Sequence, residues 1–331
     1  MRPTTAADLL RQAKNRSFLV TNPTNVRYLT GLPGDSGYLL IVPGKMLFFV
    51  DELAHQMATE TVKRGITVKH AKDAQTFMAR LRTCGFEEDT VTIQQFRKWK
   101  KKYPNIKFVQ CLDVVEEYRR SKDAEELRTL HRAERITEEL LRRVPQALRK
   151  GITEEKLARQ LTIWALELGA EGLSFDPIVA FGTHTGTPHH VPTSRRLKKG
   201  HIVQIDVGAK LGGYCADRSE VYFTKKPTAL QERVYLTLCE ARDAAMDAVR
   251  PGVTTHALDK IARKILKREG IEHAFTHGLG HGVGLDIHEG VILSQKAPVQ
   301  TLLKHEVITI EPGVYFAGKF GMRVESMVYV A

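Results

Sequence analysis

The first 120 residues alternate short apolar runs with segments of helical periodicity. Residues 52–64 and 73–84 have the spacing of amphipathic helices. Runs of four or five mostly apolar residues between turn signals predict strands at 17–21, 38–42, 46–50, 66–69, 90–93 and 106–110. Strands that alternate with helices are typical of an α/β sheet, so we predict an α/β N-terminal domain over residues 1–121.

The pattern changes near residue 121. Residues 121–150 form one long amphipathic stretch, with Ser121 as a candidate N-cap and Gly151 at its end. We therefore expect a domain boundary here and a second domain over residues 122–331.

The second domain contains a weak internal repeat. Residues 151–153 (Gly-Ile-Thr) precede a predicted helix at 154–168, and residues 252–254 (Gly-Val-Thr) precede another at 256–268, with the two motifs 101 residues apart. Two ordinary helical hairpins would also explain this pattern. We favour an α+β domain of two similar halves related by a pseudo-twofold axis, with a site between them.

Charge changes this picture little. The chain has 50 Lys and Arg against 38 Asp and Glu, which leaves a net charge of +12. The densest basic run, residues 97–102, contains Trp99, so binding to nucleic acid is one interpretation. The other is a solvated helix face with Trp99 turned to the core. We favour the helix and expect no nucleic-acid partner, because no nucleic-acid-binding motif accompanies the run.

The sequence predicts a cytoplasmic protein. No apolar run approaches the roughly 18 residues that a membrane span requires, and the N-terminal segment lacks the apolar core of a signal peptide. The four cysteines are widely separated and form no CxxC motif, so we expect reduced thiols.

Candidate chemistry lies in the second half, where two segments rich in β-branched residues carry acidic side chains. If residues 210–213 form the turn of a hairpin, Asp206 falls directly opposite Asp217. Directly opposed side chains have Cβ atoms about 4.5–5.5 Å apart. Two carboxylates at that separation repel each other unless a cation lies between them.

The same arrangement recurs near the C-terminus. A loop at residues 316–320 would pair Tyr315 with Gly321 and place Glu311 opposite Glu325. One such pair could be ordinary turn chemistry, but two pairs among strand-forming residues indicate a metal site.

A histidine-rich segment lies between the two acidic pairs. His277, His281 and His288 occur within twelve residues, and four glycines in that segment argue against a helix. We expect the glycines to let the backbone approach a ligand closely and to let His281 point inward.

The predicted metal ligands are four carboxylates and one imidazole: Asp206, Asp217, His281, Glu311 and Glu325. Such an oxygen-rich set suits Mn²⁺ or Co²⁺, with Zn²⁺ or Fe²⁺ as alternatives. Four anionic side chains exceed what one divalent ion requires, so we expect two ions. A pair of ions can bridge and acidify one water and polarise a carbonyl, so hydrolysis is the expected reaction.

These residues resemble the pita-bread (creatinase/aminopeptidase) metallopeptidases, namely prolidase, aminopeptidase P and, more distantly, methionine aminopeptidase. The resemblance rests on segments 175–179, 188–190, 205–208, 213–217, 280–284, 288–289, 310–313 and 323–325. The first half resembles the N-terminal domain of prolidases and aminopeptidases P through residues 27–32 and 47–51.

The resemblance implies a role for each site residue. Asp206 and Glu325 would bridge the two ions, Asp217 would complete one of them, and His281 and Glu311 would complete the other. Glu311 would also shuttle a proton. The catalytic histidines would be His189 and His288, and the substrate pocket would include His277 and Arg323, with Arg323 also orienting carboxylates.

The predicted function is metal-dependent hydrolysis of Xaa-Pro bonds by a hydroxide held between two metal ions. The enzyme would be an Xaa-Pro dipeptidase that acts on proline-containing dipeptides or short peptides. We expect it to be a cytoplasmic homodimer. Alternatives are an Xaa-Pro aminopeptidase, a non-catalytic interaction module and a creatinase-like hydrolase. The complete ligand set argues against the last two. One departure from the family is Glu220, which stands where these enzymes carry arginine.

Overall fold

The computed structural model describes residues 5–331. The chain forms two compact units that divide between Arg119 and Arg120. None of the helices within the described range is long and apolar enough to cross a membrane.

The N-terminal unit is a six-stranded mixed sheet flanked by helices, which confirms the predicted α/β class. Its strands are β1 (Phe18–Val20), β2 (Gly37–Val42), β3 (Lys45–Val50), β4 (Ile66–His70), β5 (Thr83–Glu87) and β6 (Lys107–Cys111). They lie in the order β4-β3-β2-β1-β5-β6, with β1, β5 and β6 parallel. The helices are α1 (Ala6–Gln12), α2 (Pro23–Thr30), α3 (Glu52–Thr61), α4 (Ala74–Met78), α5 (Ile93–Lys102) and α6 (Glu116–Arg120).

Two elements of this unit differ from the sequence prediction. The helix predicted at 73–84 ends at Met78, because Thr83 and Cys84 begin the buried strand β5 between β1 and β6. The strand predicted at 90–93 is instead a turn that leads into α5, where the side chain of the N-cap residue Thr92 accepts a hydrogen bond from the backbone N–H of Gln95.

The basic run 97–102 lies on α5. Trp99 turns toward the core, with its ring centroid 5.8 Å from that of Phe108 and 6.0 Å from that of Phe86. The charged side chains of the run are exposed. The predicted placement of Trp99 on the core side of a helix is therefore confirmed.

The second unit combines long helices with antiparallel sheets. Its helices are α7 (Ala124–Ala147), α8 (Glu154–Glu167), α9 (Ala229–Asp247) and α10 (Thr255–Arg268). Its strands are β7 (Gly172–Leu173), β8 (Ile178–Phe181), β9 (Ile202–Val207), β10 (Ala209–Leu211), β11 (Tyr214–Cys215), β12 (Arg218–Phe223), β13 (Gly280–Gly282), β14 (Glu289–Leu293), β15 (Val307–Ile310), β16 (Gly313–Phe316), β17 (Phe320–Arg323) and β18 (Ser326–Tyr329). The predicted helix at 121–150 begins later, because Asp123 rather than Ser121 caps α7.

The two halves of this unit repeat the same local structure. Thr153 caps α8 and Thr254 caps α10, each through its side chain. Gly151 and Gly252 precede them with left-handed φ values of 84° and 88°. Each threonine also forms an isolated antiparallel bridge to a later segment of its own half. The predicted pair of similar halves is confirmed.

Each half has its own apolar core between helices and sheet. In the first half, α7 and α8 pack on the three-stranded sheet β12-β9-β8. In the second half, α9 and α10 pack on the four-stranded sheet β14-β13-β15-β18. Of the predicted carboxylates, Asp206 lies within β9, and Asp217, Glu311 and Glu325 lie directly beside strand ends.

Candidate metal centre

The first acidic pair lies on the hairpin of β9 and β12, in a register that differs from the prediction. Asp206 pairs with Ser219, whereas Asp217 precedes β12 and lies diagonally from Asp206. The turn consists of Gly212 and Gly213, whose φ values of 57° and 82° fit a two-residue type I′ turn rather than the predicted four-residue turn. The direct opposition of Asp206 and Asp217 was therefore wrong, although both side chains remain near each other.

The second acidic pair follows the predicted register. Tyr315 pairs with Gly321, and Ile310 pairs with Ser326 in the same register. Glu311 and Glu325 lie at matching positions between these two pairs and therefore face each other across the strands.

His281 brings the two hairpins together. Its Nε2 atom lies 3.6 Å from Asp217 Oδ2 and 3.5 Å from Glu311 Oε1. Its Nδ1 atom lies 3.0 Å from the carbonyl oxygen of Gly282, which accepts a hydrogen bond from Nδ1–H, so the Nε2 lone pair faces the carboxylates. Ligand atoms of Asp217, His281 and Glu325 all lie within 4.8 Å of one another.

The glycines around His281 allow close packing of strands, and their predicted close approach to a ligand stays a prediction. A Cβ atom at Gly280 would lie 2.0 Å from the carbonyl oxygen of Thr309, and one at Gly282 would lie 2.1 Å from that of Glu289. The glycines thus let β13 fit between β14 and β15. His281 is held from the other side, because its backbone N–H donates to Thr309 Oγ1 at 3.1 Å.

Asp206, Asp217, His281, Glu311 and Glu325 form the carboxylate cluster, and burial dominates its electrostatics. The pKa of Asp217 is raised well above its usual range by burial and by repulsion from Glu325 and Asp206. Burial likewise raises the pKa of Glu325, and it raises that of Glu311 to about 8. Burial lowers the pKa of His281 to about 3, so its imidazole is neutral at neutral pH. Burial therefore disfavours the charged forms of both the carboxyl groups and the imidazole.

The donor set fits divalent cations. In the described part of the chain, Asp206 Oδ1, Asp217 Oδ1 and Glu325 Oε2 are buried and have no hydrogen-bond partner. Leaving an ionised carboxylate buried without compensation costs several kcal/mol, on the order expected for a missing ion-pair partner. Carboxylate oxygens and one imidazole nitrogen are ligands for hard or borderline divalent ions.

Arg323 supplies a fixed positive charge beside the cluster. Its Nη2 donates to Asp206 Oδ2, its Nε donates to Ser219 Oγ at 2.9 Å, and its Nη1 donates to the Tyr315 hydroxyl at 2.6 Å. Its Nε also lies 4.0 Å from Glu311 Oε2. Protein partners thus occupy each nitrogen of the guanidinium, which supports an orienting role. Its predicted contact with substrate stays a prediction.

Glu220 points away from the carboxylate cluster. Ser219 faces the cluster on β12, and alternation along the strand sends Glu220 to the other face. There it accepts hydrogen bonds from Arg218 Nε at 3.3 Å and from the Tyr222 hydroxyl at 2.9 Å. The departure at position 220 therefore removes no side chain from the carboxylate cluster.

The remaining predicted histidines surround the same cluster. The His288 ring centroid lies 4.2 Å from that of His281. Burial, followed by the charge of His189, lowers the pKa of His288. Burial lowers the pKa of His277 to about 4, and its Nε2 lies 3.2 Å from the Tyr315 hydroxyl. His189 and His288 are exposed, as substrate-facing groups would be.

Sequence reasoning missed two side chains of the site. Tyr315 joins Arg323 to His277, and Thr309 Oγ1 lies 3.5 Å from Glu311 Oε1 while it accepts from the His281 backbone. Strand alternation could have indicated Thr309, because it lies two residues before Glu311.

Comparison with known proteins identifies the family. Residues 128–331 match Metallopeptidase family M24, and residues 2–121 match the Creatinase/Prolidase N-terminal domain. The chain belongs to metallopeptidase family M24. It is therefore a metallopeptidase, a family whose members use divalent metal ions, and its fold is the pita-bread fold with a creatinase-type N-terminal domain.

Individual relatives agree with this assignment. The Xaa-Pro dipeptidase of Pyrococcus furiosus is 32% identical over 314 residues, which cover 94% of this chain and 89% of that protein. The structure of prolidase from the same organism has a TM-score of 0.91 at 30% identity, with 97% of this chain and 95% of that chain covered. The X-Pro aminopeptidase of Thermotoga maritima has a TM-score of 0.89 at 29% identity, with 97% and 94% covered. These two structures extend the similarity over both units.

Proposed function

We propose that this M24 chain is an Xaa-Pro dipeptidase with two divalent metal ions, Mn²⁺ or Co²⁺. The observation that carries the proposal is the buried cluster in which three carboxylate oxygens have no hydrogen-bond partner among the described residues. The relatives named above are Xaa-Pro dipeptidases and an X-Pro aminopeptidase, which supports proline-containing substrates.

The metal ligands would be the five residues of the cluster. Asp206, Asp217, His281, Glu311 and Glu325 would together hold the two ions. Bound divalent ions would polarise the scissile carbonyl and lower the pKa of water at the site. Arg323 would keep Asp206 oriented, because its short contact uses the Oδ2 atom and leaves Oδ1 for a cation.

The surrounding side chains would move protons and bind the substrate. Glu311 would accept a proton at a carboxylate oxygen and return it to the proline nitrogen, which has no hydrogen of its own in the peptide. The neutral imidazole of His288 would donate a hydrogen bond to the scissile carbonyl or the leaving group. His189 would contact the substrate from the opposite segment.

A dipeptidase must also recognise the carboxylate of the terminal proline. His189 is an exposed imidazole near His288, so it is the candidate donor for this carboxylate. The guanidinium of Arg323 is held by protein partners and would act indirectly.

The test compares metal-free and metal-loaded protein on three peptides. We expect chelation to abolish the hydrolysis of Ala-Pro and added Mn²⁺ or Co²⁺ to restore it. The value of kcat/KM should be higher for Ala-Pro than for Ala-Pro-Ala, and Ala-Ala should be cut slowly. Faster cleavage of Ala-Pro-Ala would indicate an Xaa-Pro aminopeptidase instead. Full activity of metal-free protein would overturn the metal-dependent mechanism.

The proposal includes a homodimer in the cytoplasm. The four cysteines are free thiols, which supports a reducing compartment. The dimer rests on the resemblance to prolidases. Sedimentation at micromolar concentration would test it, because a monomer with full activity would contradict the dimer.

A further inference from the structure

A buried carboxylate outside the metal cluster anchors the segment that carries His189. Glu154, in the first turn of α8, is completely buried. All five of its hydrogen-bond donors come from one stretch of chain, residues 181–193, which leads from β8 toward β9.

Both carboxylate oxygens are used. Oε1 accepts from the backbone N–H of Phe181 at 2.8 Å and from His184 Nδ1 at 2.9 Å. Oε2 accepts from His190 Nε2 at 2.9 Å, and from the backbone N–H and hydroxyl of Thr193 at 3.0 Å and 2.6 Å. An ionised carboxylate only accepts hydrogen bonds, so both imidazoles must direct an N–H toward it.

The other side of the same segment is tied to the strand of Arg323. Thr185 Oγ1 accepts from the backbone N–H of Gly321 at 3.0 Å, and the carbonyl of Pro188 accepts from Arg323 Nη1 at 3.4 Å. His189 follows Pro188 and precedes His190. Its backbone is therefore held between Glu154 and the hydrogen-bond network of the metal cluster.

We propose that Glu154 is a positioning residue for His189, with His190 acting as a hydrogen-bond donor rather than as a catalytic group. This inference rests on the proposed function, in which His189 contacts the substrate. Losing the carboxylate would leave five donors without their shared acceptor and would let the segment shift. A displacement of about 1 Å in a substrate-contacting group can lower turnover by roughly 10² fold.

The same three side chains could instead hold a third metal ion, because two imidazoles and one carboxylate converge within 4.8 Å. Two observations favour hydrogen bonding. Two backbone N–H groups and one hydroxyl already share the carboxylate with the imidazoles. Arg195, a fixed cation two residues beyond this segment, donates from Nη1 to Thr183 Oγ1 within it at 2.9 Å.

The first test replaces Glu154 with Gln, which keeps the shape but presents an amide donor to the existing donors. We expect kcat for Ala-Pro to fall by about 10² fold, with the metal content unchanged. Hydrogen exchange of residues 181–193 should become faster. Glu155→Gln, one position along the same helix, is the matched control and should leave these quantities unchanged.

The second test separates a hydrogen-bond donor from a chemical group at position 190. The hydrogen bond uses Nε2 of His190, a position that the amide nitrogen of Gln can reach and Ala leaves empty. His190→Gln should therefore retain most of the wild-type kcat, and His190→Ala should lose it to a similar extent as Glu154→Gln. Because these variants leave Glu154 intact, they remain informative if Glu154→Gln does not fold.

Three results would overturn the inference: wild-type kcat in Glu154→Gln, equal loss of kcat in both His190 variants, or one fewer metal equivalent in Glu154→Gln than in the wild type. The proposed function fails separately, if the wild-type protein does not hydrolyse Ala-Pro. In that case, the exchange of residues 181–193 in Glu154→Gln still shows whether Glu154 anchors the segment.

Discussion

Arg323 pairs with Asp206 across two strands that lie far apart in the chain, and both side chains are buried. The same guanidinium also contacts Ser219 and Tyr315. A lysine at this position would retain the charge but could not make the planar set of contacts. We expect Arg323→Lys to lower kcat/KM by about 10–100 fold, as for other groups that orient metal ligands.

The control for that variant is Arg218→Lys. Arg218 lies at the start of β12 and pairs with Glu138 and Glu220, away from the cluster. Its replacement should leave kcat/KM near the wild-type value. Equal effects of both variants would mean that Arg323 has no specific orienting role.

The predicted ligands and the predicted catalytic histidines should respond differently to truncation. Asp217→Ala removes a carboxylate of the cluster and should lower the number of bound metal ions, measured by elemental analysis. His288→Ala should keep the metal content and lower kcat by about 10²–10⁴ fold, as expected for the loss of a proton-transfer or charge-stabilising group. The assignment would be reversed if His288→Ala lost metal and Asp217→Ala did not.

A buried ion pair holds Glu289, the residue that follows His288. Lys122 Nζ donates to Glu289 Oε1 at 2.9 Å, and both side chains are buried. Lys122→Met would leave the carboxylate of Glu289 without this partner, and we expect a loss of about 3–5 kcal/mol in the free energy of unfolding. The double variant Lys122→Met/Glu289→Gln should recover part of this loss in thermal denaturation. Equal melting temperatures of Lys122→Met and wild type would contradict the prediction.

The N-terminal unit should show its own dependence of stability on pH. Burial raises the pKa of Glu87 from 4.5 to about 7. A carboxyl group with a raised pKa in the folded state contributes its full stability below its unfolded pKa, and that contribution is lost as pH rises through about 7. The wild type should therefore lose stability relative to Glu87→Gln between pH 5 and 7.5, by roughly 3 kcal/mol at most.

The hydrogen-bond donors around Glu87 allow the opposite pH dependence. Glu87 accepts from the backbone N–H groups of Thr21 and Asn22 and from the Asn25 side chain. If these donors held the group ionised, the wild type would gain stability relative to Glu87→Gln over the same pH range. The sign of the difference in melting temperature decides between the two outcomes.

Much of the site could be predicted from the sequence because its information is local. Residue type determines ligand chemistry, so the four carboxylates and His281 indicate an oxygen-rich metal site without reference to the fold. The strand register that places Glu311 opposite Glu325 follows from the short loop between two strands. The helix starts at Thr153 and Thr254 follow from capping side chains that act within one turn.

Other features depend on contacts that local pattern does not encode. The glycine pair at 212–213 shortened the first hairpin by two residues and moved Asp206 opposite Ser219, because turn length sets the register of the whole pair. The helix predicted at 73–84 ends early, because Thr83 and Cys84 belong to the central strand β5. In both cases, the pairing of strands set the outcome.

Residue type and chain order specify which side chains are suited to metal binding, because both are properties of single residues and short motifs. How those side chains are held depends on contacts that exist only in the folded chain. Arg323 reaches Asp206 across 117 residues, and Glu154 gathers its donors from a segment about 30 residues away. Such pairings form when folding buries polar groups that must then find partners, and that requirement is met in space rather than along the sequence.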